Sequence, residues 1–234
     1  MTESTLPVAM ISGAGRGIGA AIAEELSQNG WAISLGCRHP SQVPDRPGSQ
    51  QLVCHYDALD DHSDQQWIDK TIERFGRIDA VIHNAGIMLP RSVIDATDEE
   101  FDLQFAVNVK APMRLTKRLW PWLKISGRGR IITLASLSAK RVKSTTSGLY
   151  AMSKYAVLAM NHALRKEGES VGIRACAFCP SFVATDMGTA LTEIPATKMT
   201  QPEDIAILVR TVLMLPNSAT ISEIPINWTV EDNY

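Results

Sequence analysis

The sequence carries no marked excess of charge of either sign. Its 234 residues hold 23 Lys and Arg against 25 Asp and Glu, a net of −2. This speaks against a dedicated nucleic-acid binder, whose affinity rests on basic residues that displace phosphate counterions. Long apolar runs are missing too. The most apolar helix-like stretch, Ile205 to Leu215, is broken by Arg210, and nothing approaches the roughly 18 residues that cross a bilayer. Met1 to Pro7 contains neither a basic nor an apolar segment, so no export leader is expected. Cysteines are few: Cys37, Cys54, Cys176 and Cys179 show no disulfide-framework spacing. Reduced thiols in a cytoplasmic protein are the expectation. Cys176 and Cys179 have redox or zinc spacing, but they lie in a predicted strand with no second pair, so no metal is expected.

What is present suits a folded domain. Hydrophobic residues make up 45% and charged residues 21%, enough apolar surface to repay the ordering entropy and exclude disorder as the dominant state. At roughly 150 residues per domain, the length allows one large domain or two small ones.

Apolar strand-like runs alternate with amphipathic stretches almost throughout. Pro7 to Ser12, Trp31 to Gly36, Gln51 to Tyr56, Ile78 to His83, Ile131 to Ser136 and Ile173 to Cys179 read as strands, with Ile221 to Trp228 as a possible last one. Helices are predicted for Gly17 to Asn29, closed by Gly30, for Asp61 to Phe75, and for Leu149 to Glu169. A capping box of Thr97 and Glu100 opens a long helix through Lys124. A second, Thr200 with Glu203, opens a helix with Pro202 in its first turn. The proline-rich stretch His39 to Gln50 reads as a loop holding at most a short helix. Near-continuous apolar strands imply a parallel sheet covered on both faces. The expectation is α/β: a single doubly wound Rossmann domain over 1–234, with a mainly parallel sheet of about seven strands. Ligands of such sheets sit beyond the strands' C-terminal ends.

The first strand runs into Ser12-Gly13-Ala14-Gly15-Arg16-Gly17-Ile18-Gly19. Glycines permit a tight turn and let backbone N–H groups approach an anion at a helix start. Strand before and helix after supply the context that a dinucleotide-binding turn requires. An acidic residue ending the second strand would bond the ribose 2′-hydroxyl of NAD. Here Gly36-Cys37-Arg38 stands instead. Arg38, with Arg16 in the turn, can neutralise a 2′-phosphate, so NADP(H) is favoured over NAD(H). Tyr150-Ala151-Met152-Ser153-Lys154 opens the helix after the fifth strand. Residues four apart share a helix face, so Lys154 is expected to lower the Tyr150 pKa and let the phenol exchange a proton near neutral pH. Ser136, ending the fifth strand, can hydrogen-bond a reacting carbonyl.

With these motifs in order, the sequence resembles the short-chain dehydrogenase/reductase family over nearly its whole length. The likeness adds Asp57 after the third strand, Asn84-Ala85-Gly86 after the fourth, Asn108 in the long helix, and Pro180 through Thr185 after the sixth. It implies that Asp57 contacts the adenine edge and that Asn84, Ala85 and Gly86 lie along the adenosine ribose. It implies that Asn108 holds a water in a relay to Lys154, which also binds the nicotinamide ribose. Val183 and Thr185 would meet the carboxamide, and Pro180 and Ser181 would also bind the cofactor. Tyr150 would be the general acid or base, with Ser136 orienting the carbonyl. The implied activity is NADP(H)-dependent interconversion of a carbonyl and an alcohol, and the alternative is a non-catalytic dinucleotide-sensing protein. An oligomer, tetramer or dimer, is expected by analogy.

The sequence departs from the family pattern at Ser12 (usually Thr), His83 (usually Asn) and Ser181 (usually Gly). His83 reads as a satisfied histidine at a strand end. The loop before Tyr150 is one residue longer than usual, which leaves Ser138 as an alternative to Ser136. Lys140, Arg141 and Lys143 in that loop are either solvated or attract an acidic substrate. Residues 188–200 would form a short substrate lid. With motifs running from Gly13 to Thr185, no room is left for a second domain.

Overall fold

The computed structural model describes residues 6–230; Met1 to Thr5, most of the stretch read for an export leader, lie outside them. Seven strands form one all-parallel sheet: β1 (Val8–Ser12), β2 (Ala32–Cys37), β3 (Gln51–His55), β4 (Ala80–His83), β5 (Arg130–Leu134), β6 (Arg174–Pro180) and β7 (Glu223–Ile226). Their order is β3-β2-β1-β4-β5-β6-β7. The chain reverses direction across the sheet after β3, so β1 and β4 part at their C-terminal ends and leave a crevice there.

Both faces are covered, as the continuous apolar strands require. In β1, Ile11 packs with Ile22 and Leu26 of α1 (Gly17–Gln28) and with Ile205 and Val209 of α7 (Pro202–Met214). Its neighbour Met10 points the other way, into Trp67 of α2 (Asp61–Phe75) and Leu115 of α4 (Ala111–Ile125). α5 (Gly148–Gly168) covers β5 and β6 on that second side, packing Val157 and Leu158 on Ala177 and Cys179. Helix α1 ends as expected, with Gly30 just beyond it at φ +80°.

Two boundaries differ from the sequence reading. The long helix predicted after Thr97 is interrupted: α3 (Asp98–Phe105) passes through a π turn, Ala106–Lys110, before α4. Pro112 has no N–H to return to the carbonyl of Asn108 four residues back, so the ladder shifts to wider bonds such as Ala111 N to Ala106 O. The second capping box is Gln201 with Asp204, not Thr200 with Glu203. Thr200 is engaged elsewhere: it bridges to Val183, and its carbonyl accepts the Ala184 N–H at 2.9 Å. The Thr97–Glu100 box forms as read.

One buried ion pair ties α2 to α4. Asp64 has no exposed surface, and it accepts from Arg114 Nε at 2.6 Å and Nη2 at 3.0 Å. Arg114 Nη2 also donates to the Ala58 carbonyl at 3.1 Å, pinning the loop that follows β3. Asp64→Ala leaves that guanidinium without its partner, and is expected to cost about 3–5 kcal/mol. Urea unfolding checks it; an unchanged midpoint would remove this pair from the account.

Candidate active site

The crevice is built from the ends of β1 and β4. Ser12 closes β1, and its hydroxyl donates to the Ile82 carbonyl at 3.3 Å while accepting the N–H groups of Asn84 and Ala85, both at 3.1 Å. A hydroxyl is what the junction needs, so Ser serves in place of Thr. The Asn84 amide donates back to the carbonyls of Ser12 and Gly13, each at 3.0 Å. Asn84 and Ala85 thus brace the glycine turn.

The turn tolerates no side chain on that side. Gly13 has φ +66°, and a Cβ there would stand 2.9 Å from Ala85 Cα. One at Gly19 would lie 2.5 Å from the Asn84 amide nitrogen. Gly13→Ala is therefore expected to lose about 1–2 kcal/mol to the left-handed backbone alone, with the clash displacing Ala85 besides. Chemical unfolding and a fluorescence titration with NADPH check it. An unchanged midpoint with unchanged affinity would show the cradle to be wrongly placed.

Helix α1 opens at Arg16 without a side-chain cap, so its first N–H groups and the positive end of its dipole are left to an anion. Gly17, at φ +55°, comes close to Thr185: an added Cβ would lie 3.1 Å from its methyl. Gly15 abuts Cys37 at the end of β2, and the exposed Arg38 follows directly. Arg16 and Arg38 therefore flank one end of the turn. Arg16 is paired, its Nη1 lying 2.5 Å from Asp186 Oδ2. Asp57 holds its own loop, accepting the Leu59 N–H at 3.0 Å.

Across the crevice, Ser136 follows β5, and Tyr150 and Lys154 lie one turn apart near the start of α5. The Ser136 hydroxyl lies beside the Tyr150 phenol. It also accepts the Ser138 N–H at 3.0 Å and faces the Pro180 carbonyl at 3.4 Å. Of the two serines, it is Ser136 that lies beside the tyrosine. Lys154 is buried, with Nζ donating to the Leu134 carbonyl at 2.7 Å and standing 5.5 Å from the Tyr150 ring centre.

The expectation that Lys154 lowers the Tyr150 pKa is corrected here. Burial pushes the phenol up to about 12, with the neighbouring Ser136 hydroxyl pulling the other way. Burial also brings the Lys154 ammonium down to about 8. The Lys154 ammonium, one of whose N–H groups goes to Leu134 O, does not offset the desolvation of the phenol. The site as it stands keeps the Tyr150 phenol protonated.

Asn108 sits inside the π turn and points into the protein. Its carbonyl oxygen accepts from Ile87 N at 2.9 Å; its amide donates to Ile87 O at 2.9 Å and to Ser153 Oγ at 3.1 Å. Gly86 lies between Asn108 and Lys154, its missing Cβ 3.3 Å from the Asn108 oxygen and 3.8 Å from Lys154 Nζ. Sequence reading missed two members of this brace. Ser153 connects Asn108 to α5, and Gln104 bonds Ile87 O at 2.7 Å and Leu89 N at 2.9 Å. The available signal was Gln104 and Asn108 four apart on an inward helix face.

The remaining residues are placed around this centre. Pro180 ends β6, and Ser181 N donates to the Ile226 carbonyl at 2.8 Å. Among the described residues no non-glycine has positive φ, so Ser181 replaces the usual glycine without strain. Val183 bridges to Thr200, and Thr185 caps α6 (Asp186–Thr189) through the Gly188 N–H at 3.2 Å. His83 is satisfied, as read: it is buried, 2.7 Å from Thr116 Oγ1, and pushed down by burial to about 3. Cys176 and Cys179 face opposite sides of the sheet and are both buried.

Residues 7–195 match the family model described as short chain dehydrogenase. The chain belongs to the short-chain dehydrogenase/reductase family. Its fold is that of this oxidoreductase family. It is 38% identical over 219 residues to an agropine synthesis reductase of Rhizobium rhizogenes, covering 92% of this chain and 51% of that protein. The chain thus spans about half the length of that relative. An uncharacterized oxidoreductase of Staphylococcus saprophyticus is 30% identical over 233 residues, covering 97% of this chain and 99% of the relative. An alcohol dehydrogenase from Thermococcus sibiricus, complexed with 5-hydroxy-NADP, superposes with a TM-score of 0.86. It is 28% identical, with 97% of this chain and 99% of that one covered.

Proposed function

We propose that the chain is an NADP(H)-dependent oxidoreductase interconverting a carbonyl, in a ketone or 3-oxo acid, with an alcohol. The observation that carries this reading is Tyr150 and Lys154 one turn apart on α5, beside Ser136 at the sheet's C-terminal edge, across the crevice from a glycine turn with an uncapped helix start.

The residues fit a dinucleotide. Asn84 and Ala85 hold the glycine turn tightly in place, and the first N–H groups of α1 have no side-chain cap, which suits an anion there. Ser12, Gly13, Gly15, Gly17, Ile18 and Gly19 would hold the pyrophosphate, and Asp57 and Ala85 the adenosine. Arg16 and Arg38 would hold the 2′-phosphate, and Lys154, Pro180, Ser181, Val183 and Thr185 the nicotinamide half. The bound nicotinamide supplies or takes up the hydride. The NADP derivative in the Thermococcus sibiricus enzyme supports the choice of NADP(H).

The chain's own work is proton transfer and orientation. Ser136 donates to the carbonyl oxygen and fixes its direction. Tyr150, held as a phenol, gives that oxygen its proton as the carbonyl becomes an alcohol, and takes it back in oxidation. Lys154 and Asn108 line the route by which the proton on Tyr150 is replaced. Residues 188–200 cover the substrate side as a short lid. NADPH absorbance over a panel of ketones, aldehydes and 3-oxo acids tests the reading. Tight NADPH binding with no turnover on any of them would favour a sensor instead.

A further inference from the structure

We infer that Glu223 is a positioning residue: its carboxylate clips the loop after Ser136 to β7 and α5, and so holds the hydroxyl that Tyr150 works with. This rests on the roles proposed above for Ser136 and Tyr150.

The loop is stiff from Ser136 to Lys140. Ser136 caps a single 3-10 turn, Leu137–Ala139, in which Ala139 N donates to Ser136 O and Lys140 N to Leu137 O, both at 2.9 Å. Whatever fixes Lys140 therefore fixes Ser136. The Lys140 ammonium is paired with Glu223 at the start of β7, and the two side chains are only 21% and 19% exposed. The other carboxylate oxygen meets His162 Nε2 at 2.9 Å. Arg165 Nη1 lies 3.3 Å from His162 Nδ1. A guanidinium only donates, so Nδ1 accepts and Nε2 carries the proton given to Glu223. His162 and Arg165 lie on α5, the helix of Tyr150 and Lys154. Burial raises the Glu223 carboxyl, but the bonds from Lys140 and His162 outweigh it and bring it below the usual range. One carboxylate thus joins the catalytic loop, the catalytic helix and the last strand.

This gives Lys140 a role that neither sequence reading offered. Its charge is neutralised by Glu223 inside the protein, not presented to solvent or to an acidic substrate. Small displacements of a reacting group are costly, up to about 10²-fold in rate.

The test is steady-state kinetics with NADPH on one neutral ketone and one 3-oxo acid, with NADPH affinity measured separately by fluorescence. Lys140→Met and Glu223→Gln are each expected to lower kcat about tenfold on both substrates through misplacement of Ser136. NADPH affinity should not move. The double variant should be no slower than either single, and Lys140→Arg should restore most of kcat. Unchanged kcat in both single variants overturns the inference, as does a double variant whose loss is the product of the two. A KM for the 3-oxo acid alone that rises in Lys140→Met and falls in Glu223→Gln also overturns it, and makes Lys140 an attractor of acids. If Glu223→Gln fails to fold, Lys140→Met against Lys140→Arg decides alone. A wild-type protein as inactive as Tyr150→Phe marks the failure of the functional reading itself, and the inference falls with it.

Discussion

Replacing Tyr150 with Phe is expected to lower kcat for carbonyl reduction by about 10²–10⁴, the usual worth of a positioned general acid, while leaving NADPH affinity unchanged. The variant removes one oxygen and keeps the ring. Ser136 keeps its bonds to Ser138 N and Pro180 O, and Lys154 keeps Leu134 O, so the site should not collapse. What is lost is the O–H itself. With the phenol pushed up to about 12, wild-type Tyr150 is protonated throughout the ordinary working range and ready to donate. In the oxidation direction the same burial is a hindrance. The phenol must first be brought down, and Lys154, with Nζ 5.5 Å from its ring centre, does not do so in this site. Stopped-flow reduction of a ketone separates the two quantities. A variant with normal kcat would remove Tyr150 from the mechanism, whereas one that no longer binds NADPH would make it a structural residue.

The second large effect concerns cofactor choice. Arg38→Asp should reverse the preference for NADPH over NADH. Losing a charge-assisted bond to the 2′-phosphate is worth about 1.5–3 kcal/mol, or roughly ten- to a hundredfold in kcat/KM. The new carboxylate also repels that phosphate and can accept from a free ribose hydroxyl. Arg38 is exposed on the bend after β2, so the substitution costs the fold little. Arg16 has a partner in Asp186, and both side chains are well exposed, at 77% and 75%. A surface pair of that kind holds its members weakly, which leaves Arg16 free to turn to a phosphate. The measurement is the ratio of kcat/KM for the two cofactors in wild type and variant. A ratio that does not move would place the 2′-phosphate elsewhere.

The sheet and the order of the site motifs were legible because they are written in local pattern. Continuous apolar runs such as Val8 to Ser12 demand burial on both faces, and a glycine turn between strand and helix has few other uses. Four features were not legible. The stretch from Asp98 to Lys124 keeps one helical rhythm, so nothing in its periodicity announces the π turn around Asn108, although Pro112 carried the signal. Thr200 with Glu203 is as good a capping box on paper as Gln201 with Asp204; pairing with Val183 decided between them. The spacing of Tyr150 and Lys154 shows that they share a face, but not that burial outweighs the lysine's charge. Contacts such as Glu223 with Lys140, or Asp64 with Arg114, join residues far apart in sequence, and only the folded chain brings them together.

The most direct measurement follows the hydride itself. Protein, a reducible ketone and NADPH dideuterated at nicotinamide C4 are incubated together, and the product is read by mass spectrometry and NMR. The account predicts an alcohol with one deuteron on the former carbonyl carbon, formed by wild type and about 10²–10⁴ times more slowly by Tyr150→Phe. NADPH held tightly while no ketone, aldehyde or 3-oxo acid in the panel acquires deuterium would contradict it.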